Sequence, residues 1–375
     1  MPDPRPRLST RDLIGPVALF FGALLIAVAA TVGPLVGETL RKVPLDTDQT
    51  WVSDGSDGTR ILDRCSIDAP QARVLEARVQ QQRRILAVRP ADADVVTLQA
   101  GTALNADEYL VDGRPVEAKD ECDETTLTAL LDRVTLDRRT GAPRGASEVQ
   151  YDDEKAAVVI GDRQGYTYRL PYGFDPADVT YFDPVTRQTL PMTPAGTETM
   201  DGREVVRFTV TVPLTDLGSS GHDPRTVLTR PARWFGTFEG VDPADELTAT
   251  LQHSAEREFF VDTVTGVIVA DRAKIREVFR FAPDLRQRHR SLADFELINL
   301  ETTLSADRQT LRDGSSYAAR RDRPVAVTTR WVPIVAGVLG VAALIGGGWA
   351  LVRSGRRPDD GPSGAAEDGN TPPAD

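Results

Sequence analysis

Two stretches of the chain carry no charge, and between them short runs alternate apolar and polar residues with a period of two. Leu13 to Val36 is 24 residues long between Asp12 and Glu38, and Trp331 to Val352 is 22 residues long between Arg330 and Arg353. A helix of about 20 apolar residues spans the hydrocarbon core of a bilayer, so each stretch predicts a transmembrane helix. Ala27-Val28-Ala29 offers the small-residue pattern of a signal cleavage site. The apolar run is longer than the roughly 7–15 residues of a signal h-region, which favours an uncleaved anchor.

Two spans put both termini on one side of the membrane and residues 37–330 on the other. The tails, 1–12 and 353–375, are too short to fold, and Gly355 to Asp375 has the Gly, Pro, Asp and Ala content of a disordered segment. The large loop is therefore expected to be an extracytoplasmic domain, with both tails cytoplasmic. Basic residues flank the spans equally on the two sides, and long loops translocate largely regardless of charge, so architecture sets this orientation.

Within the loop, period-two segments are joined by turn residues. Val111-Asp112-Gly113-Arg114-Pro115-Val116 and Met200-Asp201-Gly202-Arg203-Glu204 predict tight hairpins, because Asp-Gly tolerates positive φ at both central positions. Val205 to Val212 follows as a β-branched strand, and Ala156–Ile160 with Tyr166–Leu170 reads as another hairpin. A turn motif recurs at Leu136-Asp137-Arg138-Arg139-Thr140-Gly141, Phe182-Asp183-Pro184-Val185-Thr186-Arg187 and Val261-Asp262-Thr263-Val264-Thr265-Gly266. Its Asp opens the turn through side-chain hydrogen bonds, its Thr closes it, and Gly takes the left-handed position in two copies. The expected fold is mainly β (α+β): an antiparallel extracytoplasmic domain flanked by two helices, with a subdomain boundary near 145–150. Helices are expected at 123–131 and 306–320, and 72–88 reads as a strand.

Composition adds exclusions. The 375 residues carry 44 Lys and Arg against 56 Asp and Glu, a net charge of −12, which argues against a nucleic-acid surface. No GxSxG elbow, Walker loop, HExxH or C-x-x-C occurs, and His222, His253 and His289 are isolated from one another. Neither an enzyme, a metal nor a cofactor is expected. Asp54-Gly55-Ser56-Asp57-Gly58 has the composition of a calcium loop without its distal Glu and reads as an acidic turn. Cys65 and Cys122, the only cysteines, both lie in the loop. Outside the cytoplasm they could pair; otherwise they are two separate buried thiols.

Aromatic residues cluster at Tyr166–Phe182, including Tyr181 and Phe182, and at Arg233-Trp234-Phe235-Gly236-Thr237-Phe238. Such clusters form either sheet core or an apolar cleft for an acyl chain. In the second reading Arg233, Trp234, Phe235 and Phe238, with Tyr181 and Phe182, are candidate lipid-binding residues, and Arg233 would meet a phosphate or sugar. Gly33 and Gly37, and the pairs Ala336/Gly340 and Ala343/Gly347, would let the spans pack on each other or on a membrane-protein partner.

The anchor–β domain–anchor layout, the motifs Leu136–Gly141 and Phe260–Gly266, and Leu170-Pro171-Tyr172 with Tyr181-Phe182-Asp183-Pro184 together resemble the actinobacterial PorA-type family, once a domain of unknown function. The resemblance implies a cell-envelope role and, by the family's name, a porin. Members look like glycolipid-handling factors. The leading expectation is a two-pass cell-membrane protein whose exported domain binds a membrane lipid or envelope glycolipid and supports its transport or maturation. A non-enzymatic scaffold or sensor and a channel are the alternatives.

Overall fold

The computed structural model describes residues 10–111, 113–151, 154–220 and 223–354. Most of the two tails, along with Asp112 and His222, lies outside the described residues. Among the described residues two compact units emerge, 39–324 and the pairing of 10–38 with 325–354.

The second unit is helical. Helix α1, Thr10–Leu40, covers the first uncharged stretch, and α6, Val332–Ser354, covers the second. Both are long and apolar enough to cross a membrane. They meet through small residues a heptad apart. A Cβ on Gly15 would sit 3.3 Å from the Gly347 carbonyl oxygen, and one on Gly22 would sit 3.0 Å from that of Gly340. Gly37 faces the Thr329 methyl. The spans therefore pack on each other by the close backbone approach that only small residues allow. A π-helical turn, Val327–Trp331, precedes α6. Pro333 has no N–H to give the carbonyl four residues back, which disrupts the regular ladder there.

The described residues of the β unit form sixteen strands. The first eight are β1 Asp48–Gly55, β2 Arg60–Leu62, β3 Val74–Ala91, β4 Val95–Val111, β5 Arg114–Glu117, β6 Thr126–Asp137, β7 Ser147–Gln150 and β8 Val158–Ile160. The rest are β9 Thr180–Asp183, β10 Gln188–Pro191, β11 Thr193–Met200, β12 Arg203–Asp216, β13 Val227–Pro231, β14 Glu246–Asp262, β15 Ile268–Phe281 and β16 Leu297–Ala306. Among the described residues three short helices, α2 Ala118–Glu121, α3 Ala232–Phe235 and α4 Pro283–Arg288, and one long one, α5 Arg308–Ala326, accompany them. All pairing between strands is antiparallel, in a large sheet of order β11-β12-β14-β15-β16-β1-β3-β4-β6-β7-β8. β13 extends β14's edge beyond β12, β2 continues the seam between β16 and β3, and β9–β10 is a separate hairpin.

Alternation decides what each face does. In β12, Val206, Phe208, Val210 and Val212 are buried on one side, while Arg207, Thr209 and Thr211 lie on the other. Those valines share one core with Trp51, Val79, Leu104 and Leu127 from the opposite half of the sheet order. The sheet thus wraps its inner face around a common interior. On the outer face, α5 packs Ala318 against Val205, Phe260 and Val269.

The strand at 72–88, the helix at 306–320 and the Met200–Arg203 hairpin are present as expected. Two expectations are corrected. Residues 123–131 are not a helix; only Ala118–Glu121 is helical, and β6 begins at Thr126. Its pairing with β4, from Asn105 to Val95, outweighs the helical spacing of Leu127, Leu130 and Leu131. Residues 156–160 do not pair with 166–170. β8 joins β7, and 166–170 makes only single bridges, Tyr166 to Tyr181 and Arg169 to Val267. β6 and β7 belong to the same sheet, so the chain stays in it through the 145–150 region.

The three turn motifs have the expected chemistry. Asp137 Oδ1 accepts from the Arg139 and Thr140 amides, Asp183 Oδ2 from the Thr186 amide and hydroxyl, and Asp262 Oδ1 from the Thr265 amide and hydroxyl. Gly141 and Gly266 both adopt φ +68°, and Arg187 occupies the same left-handed position at +59°.

A candidate binding chamber inside the β unit

The site begins with two interruptions of apolar stripes. β14 turns Leu247, Ala249, Leu251, His253 and Ala255 inward, and β15 turns Ala273, Ile275, Glu277 and Phe279 inward. His253 and Glu277 are direct cross-strand partners, so antiparallel register alone brings the two polar residues together. Asn299 on β16 completes the group. Their exposures are 1%, 4% and 2%. Glu277 Oε1 lies 2.9 Å from His253 Nδ1, and Asn299 Nδ2 donates to Glu277 Oε2 at 2.7 Å. Burial pushes the Glu277 carboxyl up, but the His253 hydrogen bond and charge, the Asn299 amide and the Arg64 guanidinium outweigh it and hold the pKa below the ordinary glutamate value. Glu277 is therefore ionised, with His253 Nδ1–H directed at it. That leaves His253 Nε2 and Asn299 Oδ1 buried without a hydrogen-bond partner.

Arginines line the opposite wall. β7 pairs with β6 only across residues 131–133, leaving β6's edge open before that point. Arg64 Nη2 donates to the Leu127 carbonyl at 2.9 Å and Arg225 Nη2 to the Ala129 carbonyl at 3.2 Å, so two side chains stand in for the missing strand. Arg225 also bonds the Tyr151 carbonyl at 2.8 Å and pairs with Asp223. Arg64, by contrast, makes no carboxylate contact within ion-pair distance among the described residues. Its Nε has no partner, and burial lowers its pKa. Arg257 pairs with buried Asp183 at 3.4 Å.

These residues surround a chamber of about 100 Å³ whose remaining walls include Leu104, Leu251, Ile275 and Leu300. Thr102, Ala129, Leu130, Tyr151 and Arg225 line both the chamber and a larger open groove of about 840 Å³, which adds Gln82, Arg84 and Gln150. A partly aliphatic interior thus ends in a polar array, and the groove at its mouth is lined by apolar residues, among them Ala103, Leu131 and Pro224, as well as polar ones.

The residues singled out in the sequence lie elsewhere. Trp234 and Phe235 are buried in a second core against Leu228, Phe281 and Leu292, and Trp234 Nε1 donates to the Ser66 carbonyl at 2.9 Å. Phe238 joins them, with its ring 5.3 Å from that of Phe295. Arg233 and Phe238 also border a surface opening of about 180 Å³. Tyr181 packs in the main core 4.9 Å from Phe259, and Phe182 lies 4.1 Å beneath the Arg163 guanidinium. None of the six lines the chamber. Cys65 and Cys122 are joined in a disulfide, tying the turn after β2 to the end of α2. The chamber residues carried one legible signal in the sequence: a polar residue at an inward position of an otherwise apolar alternation.

A wrapped antiparallel sheet tethered by two membrane-length helices defines a membrane protein with a β-rich domain. The family model for porin PorA matches residues 14–349, and the chain belongs to that family. It is 26% identical to a Porin PorA of Corynebacterium amycolatum over 246 residues, covering 55% of this chain and 59% of the relative. To a Porin PorA of Corynebacterium resistens it is 32% identical over 150 residues, 38% of this chain and 34% of the relative. The chain thus spans about three fifths and about one third of the lengths of these relatives.

Proposed function

We propose that this is a two-pass cell-envelope protein, both termini cytoplasmic, whose exported β unit binds a lipid or glycolipid and supports its transport or maturation. The observation that carries the reading is a groove lined by both apolar and polar residues, continuous with a chamber that ends in a buried polar array. An amphiphile needs both surfaces at once. The Cys65–Cys122 disulfide supports an oxidising compartment for the domain. No catalytic step is part of the reading. Native mass spectrometry of the full chain, extracted from its membrane in mild detergent, should show an added mass of lipid size. A bare chain under conditions that preserve lipid adducts on control proteins would refute it.

A channel is the second reading, favoured by the relatives' name. Among the described residues the large sheet ends at β11 and β8 with no pairing between them, and its inner face is apolar. Conduction would therefore require several helical pairs to assemble. Planar-bilayer recording of the purified chain tests this; discrete conductance steps would establish it.

A further inference from the structure

The unsatisfied groups of the chamber specify a chemistry. His253, Asn299 and Arg64 are each more than nine-tenths buried, each lines the chamber, and each carries a polar atom with no partner: Nε2, Oδ1 and Nε. Leaving such an atom unpaired in the interior costs roughly 1–3 kcal/mol, so these three, with Nε of the less buried Arg257 a fourth lining the chamber, point to an occupant that pairs them. Asn299 Oδ1 can only accept, because the Nδ2 of the same amide is committed to Glu277. Arg64 Nε can only donate. His253 Nε2 accepts from a donor when the ring is neutral and donates when it is charged.

A carboxylate or phosphate would satisfy Arg64 but would oppose Asn299 Oδ1 and lie beside ionised Glu277. An ammonium would do the reverse. A hydroxyl group donates and accepts, and two on adjacent carbons can meet a donor and an acceptor a few ångströms apart. We propose that the chamber binds the diol edge of a hydroxylated headgroup, with Asn299 Oδ1 and Nε2 of the neutral His253 ring accepting hydrogen bonds from its hydroxyls and Arg64 donating to its oxygens. A volume of about 100 Å³ equals that of about three waters, which suits two or three C–OH units but not a whole sugar ring. The rest of the ring would then lie in the groove against Gln82, Gln150 and Tyr151. Leu130, which borders both spaces, sits where the two parts join. This rests on the amphiphile-binding reading and adds the headgroup to it.

The test uses the full chain in detergent micelles with methyl glucoside and glycerol as free probes, and vesicles containing a glucosyl diacylglycerol as the lipid-borne form. Each is compared with its fully O-methylated counterpart, which keeps every acceptor but has no hydroxyl donor. Ligand-observed NMR gives relative affinity, and the side-chain nitrogen resonances of His253 report contact at the array. Hydroxylated forms should bind at least tenfold tighter than O-methylated ones and shift the Nε2 resonance. Asn299→Leu should remove that preference. Leu130→Trp, which narrows the mouth and leaves the polar array intact, should weaken binding at least tenfold. Equal binding of the O-methylated forms, an unmoved Nε2 resonance, or full binding to the Leu130→Trp variant would each overturn the proposal. Lipid bound equally well with either headgroup would leave the amphiphile reading standing and remove this one. Free diol bound without the lipid would do the opposite.

Discussion

Gly141 and Gly266 occupy the same position of the same turn motif at the same φ of +68°, yet replacing each by alanine should have very different consequences. Backbone strain is common to both. An L-residue in the left-handed region costs about 1–2 kcal/mol, offset by a few tenths to 1 kcal/mol from the smaller conformational entropy of unfolded alanine. Gly141→Ala adds nothing beyond that, since its new Cβ would lie 3.7 Å from the Tyr166 ring and 3.8 Å from the Pro171 nitrogen, ordinary contact distances. Its expected cost is about 1 kcal/mol.

At Gly266 the Cβ would fall 2.2 Å from the Leu170 carbonyl oxygen and 2.6 Å from that of Pro171. These are backbone atoms, so no side chain can rotate away. Relief requires the 169–171 segment to lift off the turn. That breaks the Leu170 amide bond to the Gly266 carbonyl, 2.9 Å, and the Arg169 Nη2 bond to the Thr265 carbonyl, 2.9 Å. Two hydrogen bonds at about 1 kcal/mol each, and exposure of Leu170 at about 1.5–3 kcal/mol, raise the cost to roughly 4–6 kcal/mol. Urea unfolding of the full chain in micelles, followed by near-UV circular dichroism, measures both variants against the parent. A Gly266→Ala cost within 1 kcal/mol of that of Gly141→Ala would refute the docking argument.

The third copy of the motif gives the converse prediction. Arg187→Gly relieves the strain at φ +59° and should stabilise by a few tenths to about 1 kcal/mol in the same assay. Replacing Cys65 and Cys122 by serine should cost about 4 kcal/mol, the chain-entropy value for a bridge across 57 positions, measured by the shift in urea midpoint. Glu277 has a folded pKa below its unfolded 4.5, so its contribution is full above that value and is lost as pH falls through the folded pKa. Stability of the parent should therefore fall more steeply below pH 4.5 than that of Glu277→Gln, read from urea midpoints across that range. A Cβ on Gly337 would lie 3.9 Å from that of Ala29, so cysteines at 29 and 337 should cross-link within the helical pair. Gly340→Ile should abolish the cross-link on non-reducing gels.

How much was legible depended on whether the signal was local. The uncharged stretches, the Asp201-Gly202 turn and the Asp-x-x-Thr turns each carry their determinants within a few residues, and the structure shows helices, a hairpin and turns there; the turn at Asp112 lies outside the described residues. The leucines of 123–131 satisfy a helical period, whereas the state of the segment is decided by β4, about 25 residues earlier in the chain. The disulfide was legible only as a possibility, because proximity of Cys65 and Cys122 depends on two turns meeting. The chamber was least legible. His253 and Glu277 sit 24 residues apart and meet through the β14–β15 register, and Asn299 joins them from a third strand. Aromatic clustering singles out Trp234 and Phe235, which the structure holds on the short helix α3 within a second core.

Buried polarity alone would not single out the chamber, because a second network is buried as deeply. Asp132 accepts from Arg163 at both oxygens, 2.6 and 2.9 Å, and from the Tyr168 hydroxyl, while Arg163 also bonds Thr167 and stacks on Phe182. The space beside that network is about 10 Å³, at the lower limit for holding even one water. Its carboxylate is saturated and nothing can enter, which is how a structural ion pair should look. Arg163 Nε is unpaired there too, but the His253 array has unspent acceptors as well as a donor, ten times the space, and a mouth on a groove. The two clusters should therefore separate under mutation. Asp132→Asn, which leaves the Arg163 charge buried without its partner, should cost about 3–5 kcal/mol of stability. Its effect on ligand affinity per folded molecule should be small. Asn299→Leu should show the larger effect on affinity. If Asp132→Asn changes affinity as much as Asn299→Leu at equal folded fraction, the distinction between a sealed network and an open one does not hold.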